Sequence, residues 1–245
     1  MNILILAAGY SSLDNKGERY PLALTEFNGV PLIERLISSC QSVGDPINFI
    51  VALRDEDIRH YHLDNVIRLL SPNAKIINTP SKTKGAACTA LLAASYIDND
   101  DELLILNGNE LLEVDFSAVL ADFRNRNLDA GVITFSSVHP RYSYVRLQEN
   151  GLVVEAAEKN PISRNATVGF YWFYKGANFV SAAKNMIRKD ASIGELYYIC
   201  PSLNELILNQ NKIGTYGILP NQYHPFKSER QVEQFENVIE QRKIL

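Results

Sequence analysis

The chain has 245 residues, 46% of them hydrophobic and 21% charged, with 24 Lys and Arg against 28 Asp and Glu for a formal charge of −4. That composition supports a full hydrophobic core and excludes disorder, and the negative balance leaves no global positive field to hold a polyanion, which argues against nucleic acid as a partner. At this length one large α/β domain is the expectation and two equal domains are not.

Apolar runs of strand length alternate with segments of helical period, the pattern of βαβ units around a mostly parallel sheet. Ile3 to Leu6 form a continuous apolar run ending at Ala7-Ala8-Gly9, as in a central strand covered on both faces. From Pro31 the set Leu32, Ile33, Leu36, Ile37 and Cys40 recurs at helical spacing, with Pro31 suited to the first turn and Gly44 just past the end. A strand over Asn48–Leu53, a helix around Asp55–Leu70, a strand at Lys75–Asn78, a helix from Ala86 to Tyr96, a strand at Leu103–Leu106 and a polar helix near Phe116–Asn127 follow. The texture then changes. Ala130–Phe135, Ser143–Gln148, Leu152–Ala157 and Thr167–Tyr174 are strand-like with Gly, Pro and Asn between them, which predicts antiparallel additions in the C-terminal half. Helices near Ala177–Arg188 and Pro201–Asn209, a strand at Ile213–Ile218 and a helix from Ser228 to about Arg242 close the chain. No repeat, low-complexity tract or linker interrupts it.

Cys40, Cys88 and Cys200 are an odd set with no CxxC pair, read as reduced core thiols of a cytoplasmic protein. The N-terminus lacks a basic region before its short apolar run, and no apolar run reaches the ~18–20 residues of a membrane span, so no membrane association is expected.

In an open α/β sheet the ligand crevice lies outside the carboxyl ends of the strands, so the segments after each strand are where chemistry is sought. Three stand out. Ala7-Ala8-Gly9-Tyr10-Ser11-Ser12 is a small-residue turn whose free amides could receive phosphate oxygens, although small residues also end strands for packing reasons. At Lys84-Gly85-Ala86-Ala87-Cys88-Thr89-Ala90 a glycine opens a helix of small side chains, suited either to close packing on the sheet or to admitting a flat base. Leu106-Asn107-Gly108-Asn109-Glu110 follows the strongest internal strand, where a metal-binding carboxylate is expected; Glu110 is available, but Asn109 offers only a neutral amide oxygen.

These blocks, with Tyr20-Pro21-Leu22-Ala23-Leu24, Asn28-Gly29-Val30-Pro31-Leu32-Ile33-Glu34, Glu158-Lys159-Asn160-Pro161 and Ala166-Thr167-Val168-Gly169-Phe170-Tyr171, resemble in order the sugar-phosphate nucleotidyltransferases. Glu195 to Pro201 and Asn204 to Ile207 are similar to a bacterial branch of capsule and surface-polysaccharide synthesis often labelled glycosyltransferase family 2. The resemblance spans nearly the whole chain and implies a three-layer αβα fold of the nucleotide-diphospho-sugar transferase, GT-A-like type. It implies one domain over residues 1–245, with a nucleotide-binding half at 1–128 and an acceptor-side half at 129–245. The activity implied is transfer of a nucleotidyl group from an NTP to a sugar phosphate or similar acceptor, with Mg²⁺ as cofactor of an active enzyme. The implied partners are an NTP or nucleotide-sugar and a phosphorylated small acceptor, with self-association left open.

By the same resemblance Ala7, Ala8, Gly9, Tyr10, Ser11, Ser12, Gly85, Ala86, Asn107 and Gly108 would meet the nucleotide. Glu158, Lys159, Gly169, Asn204 and Arg141 would face the acceptor. Asn109 stands at the metal position with Glu110 beside it. The chain departs from the family where charge matters: Leu13, Leu22 and Asn109 stand where Arg, Lys and Asp are expected. Each such group is worth about 10²–10³ in rate, so activity is either lost or rebuilt. Lys16 and Arg19 are candidate replacement cations, and Glu110 or Asp115 candidate replacement metal ligands. The competing readings are a non-catalytic nucleotide- or sugar-phosphate-binding partner of an active paralogue, and a GT-A glycosyltransferase.

Overall fold

The computed structural model describes residues 1–9, 20–44, 46–80 and 82–243, and for 240–243 the backbone alone. In chain order these residues form β1 (Asn2–Leu6), β2 (Glu26–Phe27), β3 (Val30–Pro31), α1 (Leu32–Ser39), β4 (Asn48–Arg54), α2 (Asp55–Tyr61), α3 (Leu63–Leu70), β5 (Lys75–Thr79), α4 (Ala86–Leu91), α5 (Ala94–Ile97), β6 (Leu103–Asn107), β7 (Glu110–Leu112) and α6 (Phe116–Asn125). The second half adds β8 (Ala130–Ser136), β9 (Ser143–Leu147), β10 (Val153–Glu158), β11 (Asn165–Phe173), α7 (Gly176–Arg188), α8 (Leu203–Leu208), β12 (Ile213–Ile218), β13 (Tyr223–Pro225) and α9 (Glu229–Lys243).

The main sheet runs β10-β9-β11-β6-β1-β4-β5, with β8 also paired to β11 and β12 to β8. β1, β4, β5 and β6 are mutually parallel, and β1 is central between β4 and β6. β11 is the joint between the halves. Its Phe170–Phe173 pair antiparallel with Leu103–Leu106 of β6, while Ala166 and Thr167 pair with β9. The antiparallel additions expected from the sequence are therefore present beside a parallel core.

Alternation along the strands builds three layers. Ile3, Ile5, Leu104, Leu106, Phe170 and Trp172 pack with Leu36 of α1, Ile67 of α3 and Phe123 of α6. Leu4, Ile50, Ile105, Tyr171 and Phe173 pack on the other face with Ala87 and Ala90 of α4, Phe179 of α7 and Leu206 of α8. Among the described residues no helix is long and apolar enough to cross a membrane. All three cysteines are free; Cys40 and Cys200 are buried and Cys88 is half-buried.

Three features differ from the sequence expectation. The helix at 55–70 breaks at His62, which takes a left-handed φ of 51° while its amide donates to Ile58 O at 3.1 Å. Asp57 and Leu63 are both buried, and in an unbroken helix they would lie about 120° apart around the axis, so the break re-phases the chain. The helix expected over Ala86–Tyr96 is two short ones, α4 and α5, separated at Leu92 and Ala93. A hairpin, β2–β3, precedes α1; Asn28 (φ 57°) and Gly29 (φ 71°) form its two-residue turn and Phe27 is wholly buried.

Candidate active site

The carboxyl ends of the four parallel strands, at Leu6, Arg54, Thr79 and Asn107, open into one cleft of about 820 Å³. One wall begins at Gly85, which N-caps α4 with φ 101°. A Cβ there would stand 2.4 Å from Tyr197 O, so only glycine fits both the dihedral and the approach. The segment crossing it is pinned by Tyr197 N to Lys84 O at 2.8 Å and Ala87 N to Tyr197 O at 3.0 Å. Thr83 and Thr89, both lining the cleft, share a hydroxyl contact of 2.7 Å beside this wall.

The floor is built from small residues for packing. Gly108 N donates to Leu6 O at 2.9 Å, and a Cβ on Gly108 would lie 2.8 Å from the Cα of Ala7. Glu110 sits behind this floor, 3% exposed. Its Oε1 accepts from the Gly169 amide and its Oε2 from the Tyr223 hydroxyl at 3.1 Å. Burial pushes its pKa up, opposed by the charge of Lys227 and by hydrogen bonds from Gly169, Tyr223 and Asn107. The space a Cβ on Gly169 would take is filled by Asn107, whose Nδ2 would be 2.1 Å away. The smallness of Gly169, expected to let an acceptor approach, is used by Asn107 instead.

The opposite wall carries Glu158 and Lys159 at the end of β10. Ser143 Oγ donates to Glu158 Oε2 across the β9–β10 pair, and burial raises the Glu158 pKa against the pull of Ser143, Lys159 and Lys227. Lys159 has a left-handed φ of 54°, its amide donating to Tyr142 O at 3.0 Å, which turns its side chain out of strand alternation. Its Nζ donates to the Tyr198 hydroxyl at 2.8 Å and lies 4.9 Å from that ring's centre. That hydrogen bond is the chief reason its pKa is raised. Arg141 lies 4.9 Å from the centre of the Tyr142 ring on the same side. At the end of β4, Arg54 and Asp57, 3% and 4% exposed, form a two-point ion pair of 2.8 and 3.1 Å.

Of the residues chosen from sequence, Ala7, Ala8, Gly9, Gly85, Ala86, Asn107, Gly108, Asn109, Glu110, Arg141, Glu158, Lys159 and Gly169 all line this one cleft, and so does Leu22. Tyr10, Ser11, Ser12, Leu13, Lys16 and Arg19 lie outside the described residues. Asn204 takes a different place from the acceptor role expected of it: its side chain accepts from Ala156 N at 2.9 Å and donates to Ala156 O at 2.8 Å, tying α8 to β10. Asp115 caps α6, accepting from Ser117 N at 2.9 Å, rather than facing the cleft. Arg54, Asp57, Thr83, Tyr198, Tyr223 and Lys227 line the cleft and were not anticipated as site residues. Among the described residues five cations line it (Arg54, Lys82, Arg141, Lys159 and Lys227) against three acids (Asp57, Glu110 and Glu158).

Among the described residues the donor set does not match Mg²⁺, which takes carboxylate and phosphate oxygens in strict octahedral geometry. Both Glu110 oxygens already accept hydrogen bonds in a buried position, Glu158 accepts from Ser143, and Asn109 is neutral. Among the described residues no group of three or more His, Cys, Asp or Glu gathers anywhere.

The Nucleotidyl transferase family profile matches residues 17–215, and the chain belongs to that family. Its fold is similar to a nucleoside-diphosphate-sugar pyrophosphorylase from Vibrio cholerae, with a TM-score of 0.80 at 20% identity over 97% of this chain and 100% of that one. A putative glucose-1-phosphate thymidylyltransferase from Bacillus anthracis, in complex with a sucrose, gives 0.75 at 18% identity over 97% and 94%. A UDP-glucose pyrophosphorylase complexed with UDP-glucose gives 0.74 at 14% identity over 98% of each. A sequence comparison with curated proteins gives no match.

Proposed function

We propose that this protein binds a nucleoside triphosphate and a phosphorylated small acceptor in the cleft and transfers a nucleotidyl group between them. The acceptor phosphate oxygen attacks the α-phosphorus, the bond to the β-phosphate breaks, and pyrophosphate leaves. The observation that carries this reading is the pairing of the two walls. Gly85 and the start of α4 face the cleft from one side, and Glu158 with Lys159, oriented by Ser143 and Tyr198, from the other. Glu158 would accept from acceptor hydroxyls and Lys159 with Arg141 would meet its phosphate. A role in sugar-nucleotide or surface-polysaccharide synthesis is supported by the sequence blocks at Glu195–Pro201 and Asn204–Ile207.

Leu22 and Asn109 on the cleft surface favour a second reading, a binding protein that keeps the pocket without turnover. Pyrophosphate release measured over a matrix of nucleoside triphosphates and sugar phosphates separates the two. Turnover supports transfer, and nucleotide-induced stabilisation without turnover supports the binding protein. Neither response from a folded sample removes both readings.

A further inference from the structure

Phosphates entering this cleft bring charge that a preorganised group must cancel. Among the described residues the carboxylates that line the cleft are engaged within the protein, as described above, while a lysine from the other end of the chain lines the same cleft. β13 pairs antiparallel with β7, setting Pro225 opposite Glu110. Phe226 N then donates to Asn109 O at 2.8 Å, and the Phe226 ring, wholly buried, stacks on Phe27 at 4.7 Å between centres. Lys227 follows directly, its amide held at 2.8 Å by Gln231 Oε1 at the start of α9. Its backbone is thus fixed from both sides, and its side chain lines the cleft where its charge acts on Glu110 from the floor and on Glu158 from the far wall. The geometry thus brings one ammonium into the same cleft as the floor carboxylate Glu110 and the wall carboxylate Glu158.

We infer that the cleft holds the phosphates of its ligand without a divalent ion, and that the Lys227 ammonium is the group that cancels their charge. An ammonium suits this task as a compact point charge with three donors, whichever phosphate oxygens it meets. The ligand class is a di- or triphosphate, and the inference rests on the nucleotide-binding reading above.

The test is calorimetric titration of the full chain with inorganic pyrophosphate and with ATP, CTP, GTP, UTP and dTTP, each in EDTA and in Mg²⁺. At least one probe is expected to bind in EDTA, with an affinity that Mg²⁺ does not raise. Lys227→Ala should weaken that binding roughly ten- to a hundredfold, and Lys227→Arg should retain most of it. Lys227 is exposed, so these variants are expected to fold, which circular dichroism checks. Binding of the unaltered protein that requires Mg²⁺ overturns the inference and leaves the nucleotide reading standing. So does Lys227→Ala with unchanged affinity. No binding of any probe in either buffer removes the inference together with the reading it rests on.

Discussion

Gly169→Ala tests the packing that places β11 against the cleft floor. The added methyl would stand 2.1 Å from Asn107 Nδ2, 2.4 Å from its Cγ and 2.5 Å from its Cβ. Rotating the Asn107 side chain moves the first two away but leaves its Cβ in place, so the strands themselves must separate. Overpacking of this kind costs about 1–3 kcal/mol. Separation also stretches the bond from the Gly169 amide to buried Glu110, and a hydrogen bond lost there costs about 1–3 kcal/mol more. The sum, about 2–6 kcal/mol, corresponds to a fall of roughly 4–24 °C in melting temperature for a domain of this size. Urea unfolding with an unchanged m-value is the assay. Gly9→Ala is the control, since a Cβ there meets nothing within 4 Å among the described residues and should change stability by no more than about 0.5 kcal/mol. Combining Gly169→Ala with Asn107→Gly should recover at least about 1 kcal/mol relative to additivity. A Gly169→Ala protein as stable as the original, or strictly additive effects in the double variant, refutes the reasoning.

Glu110 gives a pH dependence of definite sign. Burial raises its pKa in the folded state above the ordinary 4.5, so between those values the folded protein binds more protons than the unfolded chain and stability falls as pH rises. Glu110→Gln should remove that slope, which paired denaturation curves from acid to neutral pH will show; a slope that persists contradicts the assignment. Asn204→Ala should cost roughly 1–3 kcal/mol, because it strips the partners from the buried Ala156 backbone, while leaving ligand affinity untouched in the titrations above. Unchanged stability would contradict this structural role.

How far the sequence reveals this molecule depends on how local each determinant is. The strands β1, β4 and β6 are continuous apolar runs, and the segments just past their ends, where ligands gather in such sheets, line the cleft. The Asn28-Gly29 pair is a strong hairpin signal that was read only as part of a family motif. The break at His62 escapes because apolar spacing is satisfied on both sides of it, and only the simultaneous burial of Asp57 and Leu63 demands a change of phase. β7 and β13 are three-residue strands far apart in the chain, as shown by the bond from Tyr223 to Glu110 across 113 residues, and no window of sequence contains both. Lys227 was hidden for the same reason. Its cation acquires meaning only when the β7–β13 pairing brings the turn that follows β13 to the cleft.

Asn109 and Lys227 form one exchange, an acid given up at residue 109 and a cation supplied by Lys227. The Asn109 carbonyl accepts from Phe226 N, so residue 109 and Lys227 are held in the same corner of the cleft. An aspartate at 109 would add a second negative charge beside Glu110 and give the ammonium a competing anion within the protein, leaving it less available to phosphate. A neutral amide adds no further anion to compete with the ligand's phosphates. It follows that Asn109→Asp alone, although it restores the family's acidic residue, should weaken pyrophosphate or nucleotide binding in EDTA by about tenfold, equivalent to about 1.4 kcal/mol. The same change made together with Lys227→Ala should bind poorly in EDTA and recover on adding Mg²⁺. Tighter binding by the single variant in EDTA would show that Lys227 and residue 109 act independently, and the exchange would have to be abandoned.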